Sequence, residues 1–364
     1  MKKDYFIYLM FFFGALFTAC SSSDDEDGTG AAGDIVVYLP DDLEEIDLDY
    51  KAQNKKIDFE WEEVEGEGVE YSLVFSLSEE MDNVQAKDMN YNTDYSITHL
   101  EFDDLLAKMG VGEYKRGTVY WLVEATTSKG KVRSEVRSMN VFRFYKPFID
   151  PRDNEEYRVC RVVDMASGNY AVWLADNIRA KVYSDGTAID NDKMLFHSDE
   201  SNPDLVKAIG GYYTWTAVMR GTVGAEEGEK IQGIAPAGWH IPTKAEWDFL
   251  INNCGDSTIP GTELKDNKMW DPSATDIGRN SIGFNIIGTG YVWSLPENTP
   301  IEIGANTYFW TSTAPKAGDV YPWDPSPEQF PNQGVTYGFM ANDPGAALYP
   351  YDRTRGFSVR CVLD

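Results

Sequence analysis

Gly238-Trp239-His240-Ile241-Pro242-Thr243-Lys244-Ala245-Glu246-Trp247 sets a strand exit, a cap and a helix start side by side. Thr243 and Glu246 fit a capping box, in which each side chain satisfies a backbone N–H that a helix start leaves free. Trp247, Leu250 and Ile251 then give one apolar stripe, and Gly255 ends the helix. That capping position already explains Glu246. His240, where the chain enters the helix, reads as a structural, hydrogen-bonded residue rather than a catalytic one. The rest of residues 150 to 364 is rich in Trp, Gly and turn signals and poor in helical periods. Tyr157 to Asp164 alternates as a strand, Ala166-Ser167-Gly168-Asn169 turns it, and Tyr170 to Trp173 returns. Gly356 to Val362 closes the chain as an apolar strand. Residues 152–364 are therefore predicted to be one α+β body.

Upstream, Ile35 to about Tyr145 reads as a small β-sandwich. Ile57, Phe59 and Trp61 alternate with charged residues, as do Val69, Tyr71, Leu73, Phe75 and Leu77 and later Val119, Trp121, Val123 and Ala125. One helix interrupts the strands: Thr98 and Glu101 cap it, Phe102, Leu105, Leu106 and Met109 form its apolar face, and Gly110 stops it. Ser128-Lys129-Gly130 makes a turn, and Val132 to Phe144 is predicted as the last strand. Of the residues from Asp34 to Glu70, 14 are acidic and three are lysines, and their strand and turn positions mark a solvated face rather than a cation site. Residues 146–151 form the linker, stiffened by Pro147 and Pro151.

The chain starts with Lys2 and Lys3, continues as an uncharged run from Tyr5 to Ala19 and reaches Leu16-Phe17-Thr18-Ala19-Cys20. This layout predicts a secretory signal peptide over residues 1–19, since a bilayer span needs about 20 apolar residues. Its ending resembles the lipobox of bacterial lipoproteins, which implies cleavage before Cys20 and acylation of that residue. Ser21-Ser22-Ser23-Asp24-Asp25-Glu26-Asp27-Gly28 offers nothing apolar to bury, so residues 20–34 read as a flexible acidic tether. A Ser-then-acidic run after the lipid cysteine resembles the surface-export tether of Bacteroidetes lipoproteins. That resemblance implies the outer face of the outer membrane, with the lipid on Cys20 as the membrane contact.

The formal net charge of −28 argues against nucleic acid and anionic lipid as partners, because both reward Lys and Arg. Beyond Cys20, the remaining cysteines are Cys160, Cys254 and Cys361, so at most one intramolecular disulfide forms. Cys160 and Cys361 lie in the predicted first and last strands of one body and are the expected pair, with Cys254 the rival partner for Cys361.

Seven segments in order carry a further resemblance: Asp150-Pro151-Arg152-Asp153, Val172-Trp173-Leu174-Ala175-Asp176-Asn177-Ile178, Gly211-Tyr212-Tyr213-Thr214-Trp215, Pro236-Ala237-Gly238-Trp239-His240-Ile241-Pro242-Thr243, Gly283-Phe284-Asn285, Phe309-Trp310-Thr311-Ser312-Thr313 and Ser358-Val359-Arg360-Cys361. Together they resemble the Fibrobacter succinogenes major paralogous domain. The resemblance implies a fold akin to C-type lectins and formylglycine-generating enzymes, with N- and C-terminal strands paired and long loops over one face. Ala235 departs from that family, which commonly has Cys there as the partner of the cysteine at Cys361. Thr118-Val119-Tyr120-Trp121-Leu122-Val123-Glu124-Ala125, after the Leu-Leu helix and before the Gly turn, resembles the immunoglobulin-like N-terminal domain of SusE-type lipoproteins, usually a spacer. The expected class is thus mainly β with some α: an immunoglobulin-like β-sandwich over 35–145, then an α+β C-type-lectin-like domain.

Catalytic signatures are missing. His99, His197 and His240 fall in no HExxH or Cys-His spacing, and no GxSxG, P-loop or dinucleotide fingerprint occurs. Formylglycine-type chemistry needs a reactive cysteine pair, whereas Cys361 sits in a strand expected to be buried, where a thiol is inert. The chain therefore reads as not an enzyme, with no cofactor and no transition metal. Calcium is the one cation that the lectin resemblance raises. The Glu-Pro-Asn, Gln-Pro-Asp and Trp-Asn-Asp motifs of sugar-binding lectins are absent, and Asp324, Asn342, Asp343 and Asp352 read as turn formers rather than ligands. Between Tyr291 and Tyr351, 12 of 61 residues are aromatic, many beside Pro and Gly. Aromatic faces stack on the C–H faces of sugars while nearby polar groups take the hydroxyls. Trp323, Tyr349 and Tyr351, with Asp324 and Asp352, are the expected ligand contacts, and a glycan or polysaccharide is the expected partner. The alternatives are a structural or adhesive envelope protein that binds protein, and an enzyme of unknown reaction.

Overall fold

In a computed structural model of the chain, the described residues are 32–143, 146–199, 201–226, 228–316 and 332–364. The chain is mainly β with some α. One compact unit gathers the chain up to Ile46 with Lys56–Thr98 and Gly117–Val141; the other gathers Asp47–Lys55, His99–Arg116 and Phe142–Asp364.

The first unit stacks two sheets. Alternation decides its faces: strand Lys56–Trp61 buries Ile57, Phe59 and Trp61 and exposes the charged residues between them. That strand lies in a three-stranded sheet, paired antiparallel with Asp94–Thr98. Opposite stands a seven-stranded sheet containing Glu70–Ser76 and the long strand Arg116–Thr127, on which Val119, Trp121, Val123 and Ala125 are fully buried. Phe59 meets Phe75 and Trp121 edge-on, with centroids 5.6 and 5.0 Å apart, so aromatic quadrupoles hold the two faces together. The expected single strand Val132 to Phe144 is instead two, Gly130–Ser134 and Arg137–Phe142. The cause is Ser134, whose hydroxyl accepts the Val123 N–H at 3.0 Å and donates to the Glu135 carbonyl. A side chain thereby takes a bond the ladder would otherwise use. The expected helix runs His99–Met109, within the second unit, with Phe102 and Leu106 buried.

In the second unit, Val159–Val163 and Tyr170–Leu174 form an antiparallel hairpin. Trp173 pairs with Val362 of the terminal strand Val362–Leu363, which in turn pairs with Trp239–His240. The two ends of this unit thus meet in one four-stranded sheet. The terminal segment is regular only at its last two paired residues, while Phe357 and Ser358 make single bridges to Tyr213 and Phe309. Helix Lys244–Asn253 begins with the complete Thr243–Glu246 capping box. It buries Trp247 against Trp173 and Phe284, at centroid distances of 5.1 and 5.8 Å. A second, three-stranded sheet orders Asn306–Trp310, Gln333–Met340 and Ala347–Asp352.

The expected Cys160–Cys361 pairing is not made: all three described cysteines are free and buried. Cys160 lies opposite Trp173, and Trp173 opposite Val362. Cys160 therefore shares a sheet face with Val362, and Cys361, one residue earlier, points to the other face. The cores agree, since Cys160 packs with Trp247 and Cys254, and Cys361 packs with Val172, Leu174 and Ala235. Burial pushes the Cys160 thiol up to about 12 and the Cys254 thiol up to about 11, and raises Cys361 further. On the chain from Ser21 onward, a thiol reagent is expected to label none of the three natively and all three in denaturant. A reductant should leave the melting temperature unchanged, and a drop on reduction would reveal a disulfide.

Candidate functional site

The segments that carry the second unit's pattern converge on one buried cation. Arg360 is 1 % exposed. Its guanidinium donates to Asn177 Oδ1 at 2.7 Å, to the Leu174 and Phe284 carbonyls at 3.3 and 2.9 Å, and to the Asn285 carbonyl at 3.0 Å. Its ring neighbours are Phe284 and Phe309, 4.8 and 5.5 Å from the guanidinium carbon. Burial holds its pKa down to about 10. Arg152 does a similar task elsewhere, forked onto Asp150 and bonded to the carbonyls of Val182 and Ile234.

The tryptophans interlock in the same way. Trp215 Nε1 donates to the Thr311 carbonyl at 3.1 Å, and Trp310 Nε1 donates to the Tyr213 carbonyl at 2.7 Å. The Thr289 hydroxyl bonds Thr307 and Ser358 at 2.6 and 3.1 Å in the interior. His240, 1 % exposed, lies between Glu246 Oε1 and Asp364 Oδ1, both at 2.7 Å. Glu246 also accepts the Thr243 N–H and hydroxyl through Oε2. His240 is therefore a strut between the helix cap and the last residue. These side chains engage one another and backbone carbonyls of the second unit.

The expected ligand contacts divide. Cys20, Trp323 and Asp324 lie outside the described residues. Tyr349 and Tyr351 are not on a loop: they sit on strand Ala347–Asp352, half-buried and stacked at 5.8 Å and 14°. Asp352 Oδ1 accepts the Thr354 N–H and hydroxyl, closing a turn. Asp343 does the same for the Gly345 N–H, and Asn342 accepts the Thr275 N–H. Each of these oxygens serves its own turn or loop, and among the described residues no group of three or more His, Cys, Asp or Glu is placed to hold a metal.

An aromatic shelf adjoins these tyrosines, with Tyr291 and Tyr308 buried beneath it and Trp293 exposed at its edge, and only part of it was expected. Tyr308 meets Tyr349 and Tyr351 edge-on at 5.6 and 5.2 Å. Tyr291 meets Tyr308 at 5.6 Å and Trp293 at 6.4 Å. Trp293 is 55 % exposed. Arg355 lies between rings, its guanidinium carbon 3.9 Å from the Trp293 centroid and 4.4 Å from that of Tyr351. No described residue accepts a hydrogen bond from that guanidinium or forms an ion pair with it. Sequence reasoning reached the Tyr291–Tyr351 stretch but missed Trp293 and Arg355. The local signal was a Trp directly ahead of Ser294, at the turn after Val292.

The second unit is β-rich, its patterned residues are internal, and the aromatic shelf lies beside them. The family model for the Fibrobacter succinogenes major domain matches residues 167–363, and the chain belongs to that family. The model for the SusE outer membrane protein matches residues 23–124, in agreement with the outer-membrane location read from the sequence. No curated protein matches the chain.

Two stability predictions follow from these geometries. Arg360→Leu strands several buried acceptors and is expected to cost about 3 kcal/mol, lowering the unit's melting temperature by roughly 10 °C. Arg360→Lys should recover less than half of that, because an ammonium cannot fork to several carbonyls; tryptophan fluorescence melts read both. Burial alone would raise the Glu246 carboxyl, but hydrogen bonding and charge from His240, with the Thr243 bonds, hold it below its usual 4.5. A depressed carboxylate stabilises the fold above its unfolded value and loses that contribution as pH falls through its folded one. Urea titrations should show Glu246→Gln less stable than wild type at about pH 7, with the gap closing by about pH 3.

Proposed function

We propose that this chain is a non-catalytic lipoprotein, anchored in the outer membrane through Cys20 and displayed on the cell surface, whose second unit binds glycan on the shelf around Trp293. The observation that carries this reading is Arg355, whose guanidinium carbon lies 3.9 Å from the Trp293 ring centroid and 4.4 Å from that of Tyr351, with no hydrogen-bond acceptor or ion-pair partner among the described residues. A guanidinium against aromatic faces gains cation–π energy, and its N–H fork still projects toward sugar hydroxyls. Trp293, with the half-buried Tyr351 on the other side of Arg355, offers the apolar surface on which a pyranose ring rests. The unit folded from the first part of the chain acts as a spacer.

The non-catalytic reading is supported by two features. The thiols lie in apolar cores with raised pKa values, the opposite of a nucleophile's setting. The histidine nearest the patterned segments, His240, is consumed as a strut. With a net charge of −28, the partner is not nucleic acid. The second reading is a protein partner, favoured by Ile301, which is 42 % exposed and pairs with Tyr291 next to Trp293.

A glycan array followed by affinity titration separates these readings. The wild type is expected to bind a plant or mucin glycan, and Trp293→Ala and Arg355→Ala each to weaken that binding by about tenfold or more. Their melting temperatures should stay near wild type because both side chains sit at the surface. No binding by the wild type to any such glycan would sink the glycan reading in favour of the protein one.

A further inference from the structure

A second recess in the same unit shares no residue with the shelf and points to a different chemistry. It encloses about 490 Å³, within the roughly 300–1,000 Å³ typical of small-ligand sites. Its walls are apolar where Val182, Phe196 and Val206 face it, and cationic where Arg179, Lys181 and Lys207 do. Rigid elements supply them: Phe196 ends a strand paired with Gly211–Tyr213, and Lys207 stands on helix Pro203–Ile209.

The charges do not cancel. Arg152 is closed off by its fork onto Asp150. Glu155 is shared: it takes Arg179 at 3.1 Å and stands 3.6 Å from Lys207. Asp153 turns Oδ1 onto the Glu155 N–H. Lys181 has no described acidic partner, and its ammonium stands 5.2 Å from the Phe196 ring. Arg179 lies over Tyr157 at 4.3 Å, and its Nε–H has no acceptor. In a chain of net charge −28, a recess with cations in excess is against the general trend.

We infer that this recess binds an acidic sugar unit, the pyranose face on Phe196 and the anionic group at Lys181 and Lys207. The strong negative charge of the whole protein repels long polyanions at a distance, so the recess selects a ligand with one or two charges over a densely charged chain. The anion is a carboxylate or a sulfate ester, since two ammonium groups serve either. The inference does not rest on the shelf reading.

The test is calorimetric titration of the full mature chain at low salt. The probes are galacturonic acid, N-acetylglucosamine 6-sulfate and neutral N-acetylglucosamine, so that no probe carries more than one acidic group. At least one acidic probe is expected to bind and the neutral one not to compete for the site. Which acidic probe binds identifies the anion. The Lys181→Ala/Lys207→Ala double variant should bind that probe about tenfold more weakly, with an unchanged melting temperature, while Trp293→Ala binds it as wild type does. If neither acidic probe binds the wild type, or the double variant binds equally well, the inference is overturned. Loss on Trp293→Ala alone would move the acidic ligand to the shelf and overturn it too.

Discussion

One guanidinium holds the second unit's patterned segments together. Arg360 carries a formal charge into an interior where no described carboxylate touches it, and it is kept there by neutral carbonyl and amide oxygens alone. Burying an ion without a counter-ion is costly, which is why burial drags its pKa toward about 10. The arrangement survives because several separate segments present acceptors together, and each of those acceptors would itself be stranded without the arginine. Leu174 ends the hairpin and Asn177 follows it, Phe284 and Asn285 come from a loop far along the chain, and Arg360 is in the last segment. The cation therefore works as a closure, tying the chain just ahead of the terminal strand to the segments around Tyr170–Leu174.

The closure explains why a strong family pattern says little about activity. Trp215 and Trp310 exchange donors across the same interior, and Asp150 with Arg152 pins two further carbonyls. Residues so engaged are demanded by the fold. Recognition is left to the surfaces between them, where side chains are free to vary without loosening the scaffold. Arg355 and Lys181, whose charged groups have no ion-pair partner among the described residues, lie on such surfaces.

Much of the fold was legible in the sequence because the deciding signals are local. The Thr243–Glu246 cap, the alternation at Ile57, Phe59 and Trp61, and the turn at Ala166–Asn169 each need only a few neighbouring residues. The misjudged features depend on partners distant in sequence. Tyr349-Pro350-Tyr351 reads as a loop because proline cannot donate to a ladder. In the structure, Pro350 pairs with Val335 on the outermost strand of its sheet, where a missing N–H faces no further strand and is tolerated. The shelf follows from that placement, since residues 349 and 351 then share a face. Trp293 and Arg355 meet across more than sixty residues of chain, beyond the reach of any spacing rule.

The cysteines turn on a single position of sheet parity. Cys361 and Val362 are neighbours in sequence but belong to opposite cores, so the residue of the terminal strand that shares a face with Cys160, two strands away across Trp173, is Val362. On its own face, Cys361 packs in the same cluster as Ala235, the position where the family resemblance implies its disulfide partner. A methyl group there leaves the thiol with no oxidation partner. An exported protein tolerates free thiols only if they stay unreactive, and complete burial with a raised pKa supplies that protection. The integrity of the core thus does chemically what the missing disulfide would have done covalently. The closure at Arg360, one residue from Cys361, then guards the thiol as well as the fold.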